Sequence, residues 1–221
     1  MKTLKIWFLF LLMGMFYKAG AQDTTDLMNL LEKEMTSSKD MTDYTTATFK
    51  TTRLVNGHSV ENVAKGVLHV KISHRFGNLN EGFYELFGLD KATMRIGFDY
   101  GISNNLMIGV GRSTYQKTYD AFFKLKILRQ SKGKRKMPIT LSYVPTIAYR
   151  SLKWQDPSIK NYATSRLFYS HQLIIGRKFS EGTSFQLMPT FIHQNLVTGA
   201  NDPNDLFAIG IEKKKKITKR I

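Results

Sequence analysis

From about Ala47 onward, apolar and polar residues alternate along the chain in runs separated by turn-forming residues. In one run, Met94 and Ile96 share a face, while Arg95 and Asp99 lie on the other. Successive side chains of a β-strand point to opposite sides, so the alternation predicts strands with one apolar and one polar face. About nine such segments are readable, among them 47–54, 66–76, 93–101, 106–111, 121–128, 139–150, 166–178 and 183–194.

The length of these runs separates two classes of all-β protein. Several runs exceed ten residues, whereas strands of soluble domains cluster near about 5–6 residues and a tilted membrane strand needs about 9–11. A periplasmic sandwich or a lipocalin-like barrel would also alternate, but with shorter strands. Aromatic residues near the run ends, as in the interfacial girdles of membrane barrels, are Tyr100, Tyr149, Tyr169 and Phe179. The pattern favours an antiparallel transmembrane β-barrel.

A recurring local pattern marks the predicted turns. An apolar residue, Ser or Thr, and two or three turn formers precede a new strand at 100–106, 177–183 and 215–221. Such tight turns are typical of the periplasmic rim of a barrel, where connections are short. The longer connections would then be outward loops, at 77–91, 151–163 and 197–204.

The end of the chain and the strand count raise a question of closure. No strand follows the turn pattern at 215–221, so we expect the barrel domain, residues 47–221, to lack closing carboxyl-terminal strands. Bacterial single-chain barrels have an even number of strands, whereas the count of readable segments here, nine, is odd. The run Ala47–Leu54 is therefore either not a spanning strand or a segment that threads the lumen.

The first residues predict export. A basic start, Met1–Lys5, precedes the apolar run Ile6–Tyr17 and small residues at Ala19–Ala21. This order predicts a secretory signal, residues 1–21, cleaved between Ala21 and Gln22. The apolar run of 12 residues is short for a membrane-spanning helix, which needs roughly 20. Asp23–Lys39 has the spacing of a short amphipathic helix, so residues 22–46 form a helical or loop segment before the barrel.

Composition and charge narrow the partners. The chain has 42% apolar residues and a formal net charge of +16. It has no cysteine, and this absence excludes a lipid-anchored Cys, Cys-based zinc sites and a thiol nucleophile. Basic clusters occur at Lys124–Lys136 and Lys213–Lys216. They lack the interleaved aromatics of nucleic-acid binding, and export argues further against it. Contact with anionic lipid head groups and ordinary solvated turns remain alternatives.

Candidate functional residues lie on the polar face of the strands. We expect them to line the interior of the barrel: Lys71, Arg95, Asp99, Lys124, Lys126, Arg150 and Arg166. Arg53, Asp90, Arg95 and Asp99 could pair there, and a structural charge network is favoured over a substrate site. No catalytic residue, cofactor site or metal site is indicated: phosphate-loop and Gly-x-Ser-x-Gly motifs are absent, and His69 and His74 fall on opposite faces of a strand.

Several stretches resemble a known family. They are Ala47–Glu61, Ile72–Gly77, Phe87–Gly101, Gly111–Asp120 and Leu152–Trp154. Together they are similar to an uncharacterised outer-membrane β-barrel family of Gram-negative bacteria, over nearly all of the mature chain. The resemblance implies a barrel in the outer membrane but supplies no activity, and members of the family look longer at the carboxyl end.

Three hypotheses follow for function. The first is an outer-membrane barrel that forms a narrow pore for small polar or anionic solutes. The second is a non-catalytic binding or scaffold barrel acting through its outer loops, including Gly82–Phe87. An outer-membrane enzyme is the weakest hypothesis, because no nucleophile and base are placed by a motif.

Overall fold

The computed structural model of the chain describes residues 27–34, 41–55, 57–154, 158, 162–197, 199 and 201–217. The predicted signal segment and its cleavage site lie outside these residues. The chain divides into two units, Met1–Thr42 and Asp43–Ile221. In the first unit, residues 27–34 form a helix whose side chains are exposed; the other residues of the predicted helix, 23–39, are not described. No helix among the described residues has the length and apolarity to cross a membrane.

The second unit consists mainly of antiparallel strands. The strands are β1 (Thr42–Tyr44), β2 (Arg53–Leu54), β3 (Gly57–His58), β4 (Leu68–Arg75), β5 (Thr93–Gly101), β6 (Leu106–Ser113), β7 (Thr118–Leu128), β8 (Ser131–Gly133), β9 (Thr140–Arg150), β10 (Leu167–Lys178), β11 (Thr183–Gln194) and β12 (Asp205–Lys215). Short 3₁₀ turns occur at Leu79–Glu81, Leu86–Gly88, Tyr115–Lys117 and Ala163–Arg166.

Eight of these strands form one sheet in the order β4-β5-β6-β7-β9-β10-β11-β12. Every neighbouring pair is antiparallel. Two small sheets, β1-β8 and β2-β3, complete the described strands. The predicted all-β antiparallel fold is confirmed. The main sheet has eight strands, whereas about nine segments were predicted. The difference arises because 47–54 contributes only the two-residue strand β2.

One face of the sheet is apolar and exposed. The register keeps apolar residues together on it: Phe98 lies opposite Val110, and Ile108 lies opposite Phe123. On β12 the side chains of this face are strongly exposed, with 82% for Phe207 and 72% for Ile209. An apolar face this extensive, which no described element covers, matches a sheet whose outer surface contacts lipid.

The opposite face encloses a segment that precedes the sheet. This inner segment, residues 47–55 and 57–64, contributes Phe49, Val60 and Val63 to the buried apolar cluster of the molecule. The wall strands supply the other members of the cluster: Met107, Phe122, Val144, Ile174 and Met188. The core therefore lies inside the curved sheet, between its inner face and the inner segment.

The inner segment touches β4, β5, β7, β10, β11 and β12, which a flat sheet would not permit. At the two edges, Lys71 of β4 bonds the hydroxyl of Thr52, and the Lys214 ammonium of β12 donates to the Ala47 carbonyl at 2.9 Å. Both edge strands thus reach one short segment. The run Ala47–Leu54 lies inside the sheet and does not span it, which resolves the two alternatives that the sequence left open.

The ends of the strands form two different rims. At the short-turn rim, Ser103 N–H donates to the Leu106 carbonyl at 3.0 Å, and Ser180 N–H donates to the Thr183 carbonyl at 3.2 Å. These two turns were predicted from their shared pattern and are confirmed. The connection 129–139 belongs to the same rim. The opposite, long-loop rim carries the connections 76–92 and 114–117, and the described parts of two further connections, 151–154 with 162–166 and 195–197 with 201–204.

Candidate functional site

The centre of the interior is a buried lysine that binds backbone carbonyls. Lys124 projects inward from β7 with no exposed surface. Its ammonium donates to the carbonyls of Thr52 at 3.1 Å, Ser59 at 3.0 Å and Glu61 at 2.6 Å. An ammonium has three N–H donors, and all three are used here. Lys124 thus fixes three points of the inner segment to the wall.

Two glutamines hold the inner segment from the other side. Gln186 of β11 donates to the His58 carbonyl at 3.0 Å and accepts from the Val60 N–H at 3.3 Å. Gln172 of β10 accepts from the His58 N–H at 3.3 Å. A side-chain amide both donates and accepts, so it can pair with an extended backbone much as a strand would. The segment is thereby hydrogen-bonded to walls on both sides.

Ion pairs complete the polar part of the inner face. Lys71 lies 3.2 Å from Asp99, whose side chain is fully buried. Arg95 forms a two-point pair with Asp120, in which Nε donates to Oδ1 at 2.8 Å. The structure thus joins Lys71 to Asp99 and Arg95 to Asp120. No ion pair involves Asp90 among the described residues, although the sequence analysis grouped it with these side chains.

The structure places the predicted interior residues in three regions. Lys71, Arg95, Asp99 and Lys124 lie together on the inner face of β4, β5 and β7, around the inner segment. Lys126 lies on the same face nearer the short-turn rim. Arg150 ends β9 and stacks 4.7 Å from the Phe168 ring.

Arg166 departs from the expected arrangement. It lies in the 3₁₀ turn before β10, not on the strand, and stacks 4.1 Å from the Trp154 ring. The predicted strand began at this residue, but Arg166 belongs to the long-loop rim. The reason is local: Ala163–Arg166 takes a 3₁₀ turn, which a period-two pattern does not register.

Sequence reasoning did not single out the partners that hold the inner segment. Asp120, Gln172 and Gln186 occupy inward positions of their strands, so the alternation gave their face. Their partners are backbone groups, or side chains on strands that are not adjacent in the chain. Only the position of the inner segment identifies them, and a single sequence carries no signal for it.

The long-loop rim contains a cavity of about 700 Å³. Basic residues from three parts of the chain line it: Arg53 of the inner segment, Arg75 and Arg95 of the wall, and Lys91 of the 76–92 connection. Lys91 lies 3.0 Å from Glu81 and 3.7 Å from Glu85. The hydrogen bond from Lys91 to Glu81, with the charges of both carboxylates, raises the pKa of Lys91 above its ordinary value.

Metal-binding chemistry is not evident in the described part of the chain. No group of three or more His, Cys, Asp or Glu side chains there is arranged to hold a metal ion. His69 and His74 lie on opposite faces of β4, as their spacing predicts. The geometry that the interior does offer is recognition of backbone by Lys124 and the two glutamines, and a basic cavity at one rim.

Comparison with known proteins identifies a family. Residues 49–221 match the family described as "Membrane bound beta barrel domain (DUF5777)". No curated protein and no solved structure matches the chain. The matched region begins in the inner segment and includes every strand of the eight-stranded sheet. Because the family model covers most of the chain, this protein belongs to that family of membrane-bound β-barrel domains.

Proposed function

We propose that this protein is a non-catalytic binding barrel of the outer membrane, closed to diffusion by its own inner segment and active at its long-loop rim. The observation that carries the proposal is the buried apolar cluster inside the sheet, shared between the inner segment and five wall strands. An eight-stranded barrel has an interior just wide enough for side chains to fill. A segment placed there leaves little room for a water-filled path.

A narrow pore for small anions is the competing function. The basic inner face, with Lys71, Arg95 and Lys124, is the feature that favours it. However, two of these cations pair with carboxylates and the third binds backbone carbonyls, so they are occupied within the protein. Conduction would require the inner segment to leave, which would expose the apolar side chains of the core to water.

Three features support the outer membrane as the location. The strands have the length and the apolar outer face of membrane-spanning strands. The amino-terminal sequence has the order of a secretory signal, and a membrane β-barrel requires export before insertion. Cell fractionation combined with gel mobility before and after heating tests this: we expect a heat-modifiable band in the outer-membrane fraction. Recovery in the soluble periplasmic fraction would refute the location.

Basic residues at the short-turn rim support contact with anionic lipid head groups. Lys132, Lys134 and Lys136 lie in the connection 129–139, and β12 ends in Lys213–Lys215. Each such cation near an anionic surface contributes about 1 kcal/mol of attraction. Folding into vesicles should therefore be more complete with phosphatidylglycerol than with phosphatidylcholine alone. Changing the three lysines of the connection to glutamine should remove the difference; if it persists, another surface is responsible.

Electrical recording in planar bilayers tests whether the barrel is closed. The full chain should insert, as shown by protease protection, and give no steady conductance. A variant lacking residues 47–64 should give discrete conductance steps if it folds. A second variant that keeps the full length, Lys124→Met, weakens the hold on the segment without deleting it and should give brief openings. Steady conductance from the unmodified chain would overturn the closed-barrel proposal.

A further inference from the structure

The cavity at the long-loop rim has the size and lining of a ligand site. Its volume of about 700 Å³ falls within the range of small-molecule pockets, about 300–1,000 Å³. Apolar side chains, including Phe76, Met94 and Tyr115, line part of it. The remaining lining is polar or basic, and no acidic side chain lines the cavity among the described residues.

The lining arginines differ in whether a described carboxylate pairs with them. Arg95 is paired with Asp120, and Lys91 with Glu81. In contrast, neither Arg53 nor Arg75 forms an ion pair with any residue that the structure describes. The charges of Arg95 and Arg75 repel that of Arg53, and the charges of Asp99 and Asp120 attract it.

Arg53 lines the cavity, and its guanidinium lies against an aromatic ring. Its guanidinium carbon lies 4.8 Å from the Phe122 ring centroid, so the ring supports one face of the group. The buried Nε atom has no hydrogen-bond partner among the described residues. A buried donor without a partner is costly, and a guanidinium edge matches the two oxygens of a carboxylate or phosphate. An oxyanion in the cavity would have the chemistry to pair with this guanidinium.

We propose that this cavity binds a small organic anion carrying a carboxylate or a phosphate, with Arg53 and Arg75 as its principal contacts. The inference rests on the proposed function as a binding barrel and names its ligand class. The anionic group pairs with the two arginines, and the organic body packs on the apolar part of the lining near Phe76 and Met94. A free inorganic anion would satisfy only the first of these contacts.

Binding at this site also concerns the inner segment. Arg53 belongs to the inner segment, whereas Arg75 belongs to wall strand β4. A ligand that contacts both is bound only when the segment is in place. It therefore stabilises the closed arrangement by a free energy of RT ln(1 + L/Kd), where L is the free ligand concentration and Kd is its dissociation constant.

Titration calorimetry on the folded full-length chain in detergent tests the site, with citrate, glucose 6-phosphate and inorganic phosphate as probes and glucose as the uncharged control. We expect citrate or glucose 6-phosphate to bind at one site, and glucose not to bind. Arg53→Gln and Arg75→Gln should each weaken binding about tenfold or more, because each removes a charge-assisted pair. Arg112→Gln is the matched control, because Arg112 lies on the exposed side of β6, where it bonds the Tyr119 hydroxyl at 3.1 Å.

The same titration in nanodiscs separates a soluble anion from a lipid head group. Competition by phosphatidylglycerol nanodiscs, but not by phosphatidylcholine nanodiscs, would support the anion site with a lipid phosphate as its source. Lack of competition would support a soluble ligand. The site would be overturned if no anionic probe bound at low ionic strength. It would also be overturned if the Arg53→Gln and Arg75→Gln variants bound the probes as tightly as the unmodified chain. If the anion site failed in this way, absence of conductance in planar bilayers would still support the closed barrel. Failure of the anion site and failure of the closed-barrel proposal are therefore distinguishable.

Discussion

Lys124 places an ammonium in the interior with no exposed surface. A buried ammonium is stable only when its donors are paired, and here three carbonyls of the inner segment supply the partners. The pairing depends on backbone atoms, so it constrains where the segment lies and not which side chains it carries. Substitution of Lys124 therefore tests directly whether the inner segment occupies the interior.

Replacing Lys124 with methionine should loosen the inner segment. The variant keeps an unbranched side chain that is one atom shorter but leaves three carbonyls without a donor, at an expected cost of about 3 kcal/mol. Urea unfolding should show the loss, and trypsin should cut faster after Arg53 and Lys65. Lys213→Met, on the exposed face of β12, is the control and should behave as the unmodified chain. Unchanged cleavage in Lys124→Met would contradict the assigned contacts.

Gly101 tests the same packing through a close approach of backbone. A methyl group at this position would fall on the carbonyl oxygens of Val63 and Ala64, 2.6 Å from the former. We expect Gly101→Ala to destabilise the protein by about 1–3 kcal/mol through overpacking. At Gly182 an added carbon would meet only Lys216, at 3.5 Å, so Gly182→Ala should be nearly neutral in the same urea titration. Equal midpoints for the two variants would be inconsistent with a seated inner segment.

The candidate site was predictable in part. Alternation along β7 puts Lys124 and Lys126 on one face of the strand, because side-chain direction follows from strand geometry alone. The partners of Lys124 were not predictable, because backbone carbonyls are present at every residue and carry no signature. Arg53 and Arg75 were separable from other arginines only after the structure brought the inner segment beside β4.

For the elements, hydrophobic alternation predicted the spanning strands well, since a sheet between lipid and interior requires it over the full strand length. It failed at Ala47–Leu54. There Thr48, Phe49 and Thr52 are all buried, because the segment is surrounded by wall strands and does not lie between two media. Residues 48–52 form bends, and the backbone has positive φ angles at Ala47 and Val55. The alternation of apolar and polar residues does not indicate which residues adopt positive φ angles.

A charged residue should impair folding more on the lipid-facing side of a strand than on its inner side. Ile209 and Ala208 are neighbours on β12 and point to opposite faces. Ile209→Lys should reduce folding into vesicles, because a lysine facing the bilayer midplane costs about 2–4 kcal/mol. Ala208→Lys should have a smaller effect. The measurement is the heat-modifiable fraction on gels, and a larger loss for Ala208→Lys would reverse the assignment of the two faces.

For the whole molecule, the placement of the inner segment can be fixed by cross-linking. The chain has no cysteine, so introduced pairs report without background. A carbon added at Gly176 would lie 2.5 Å from the Val60 side chain, and the pair Val60→Cys with Gly176→Cys should form a disulfide under mild oxidation. Val60→Cys with Ile175→Cys is the control, because Ile175 points to the opposite face of β10. Equal yields from both pairs would show that the segment is not held at this place.

The distances along the chain that these contacts bridge have a consequence for the order of assembly. Gln186 and His58 are 128 residues apart, and Lys124 and Thr52 are 72 apart. Contacts between such distant residues form late and slowly, because a long loop must close first. The amino-terminal portion of the domain is thus synthesised first but forms its hydrogen bonds to the wall strands last. Until β10 and β11 are in position it has only part of its partners, so chains arrested before that stage should be the form that chaperones and proteases encounter.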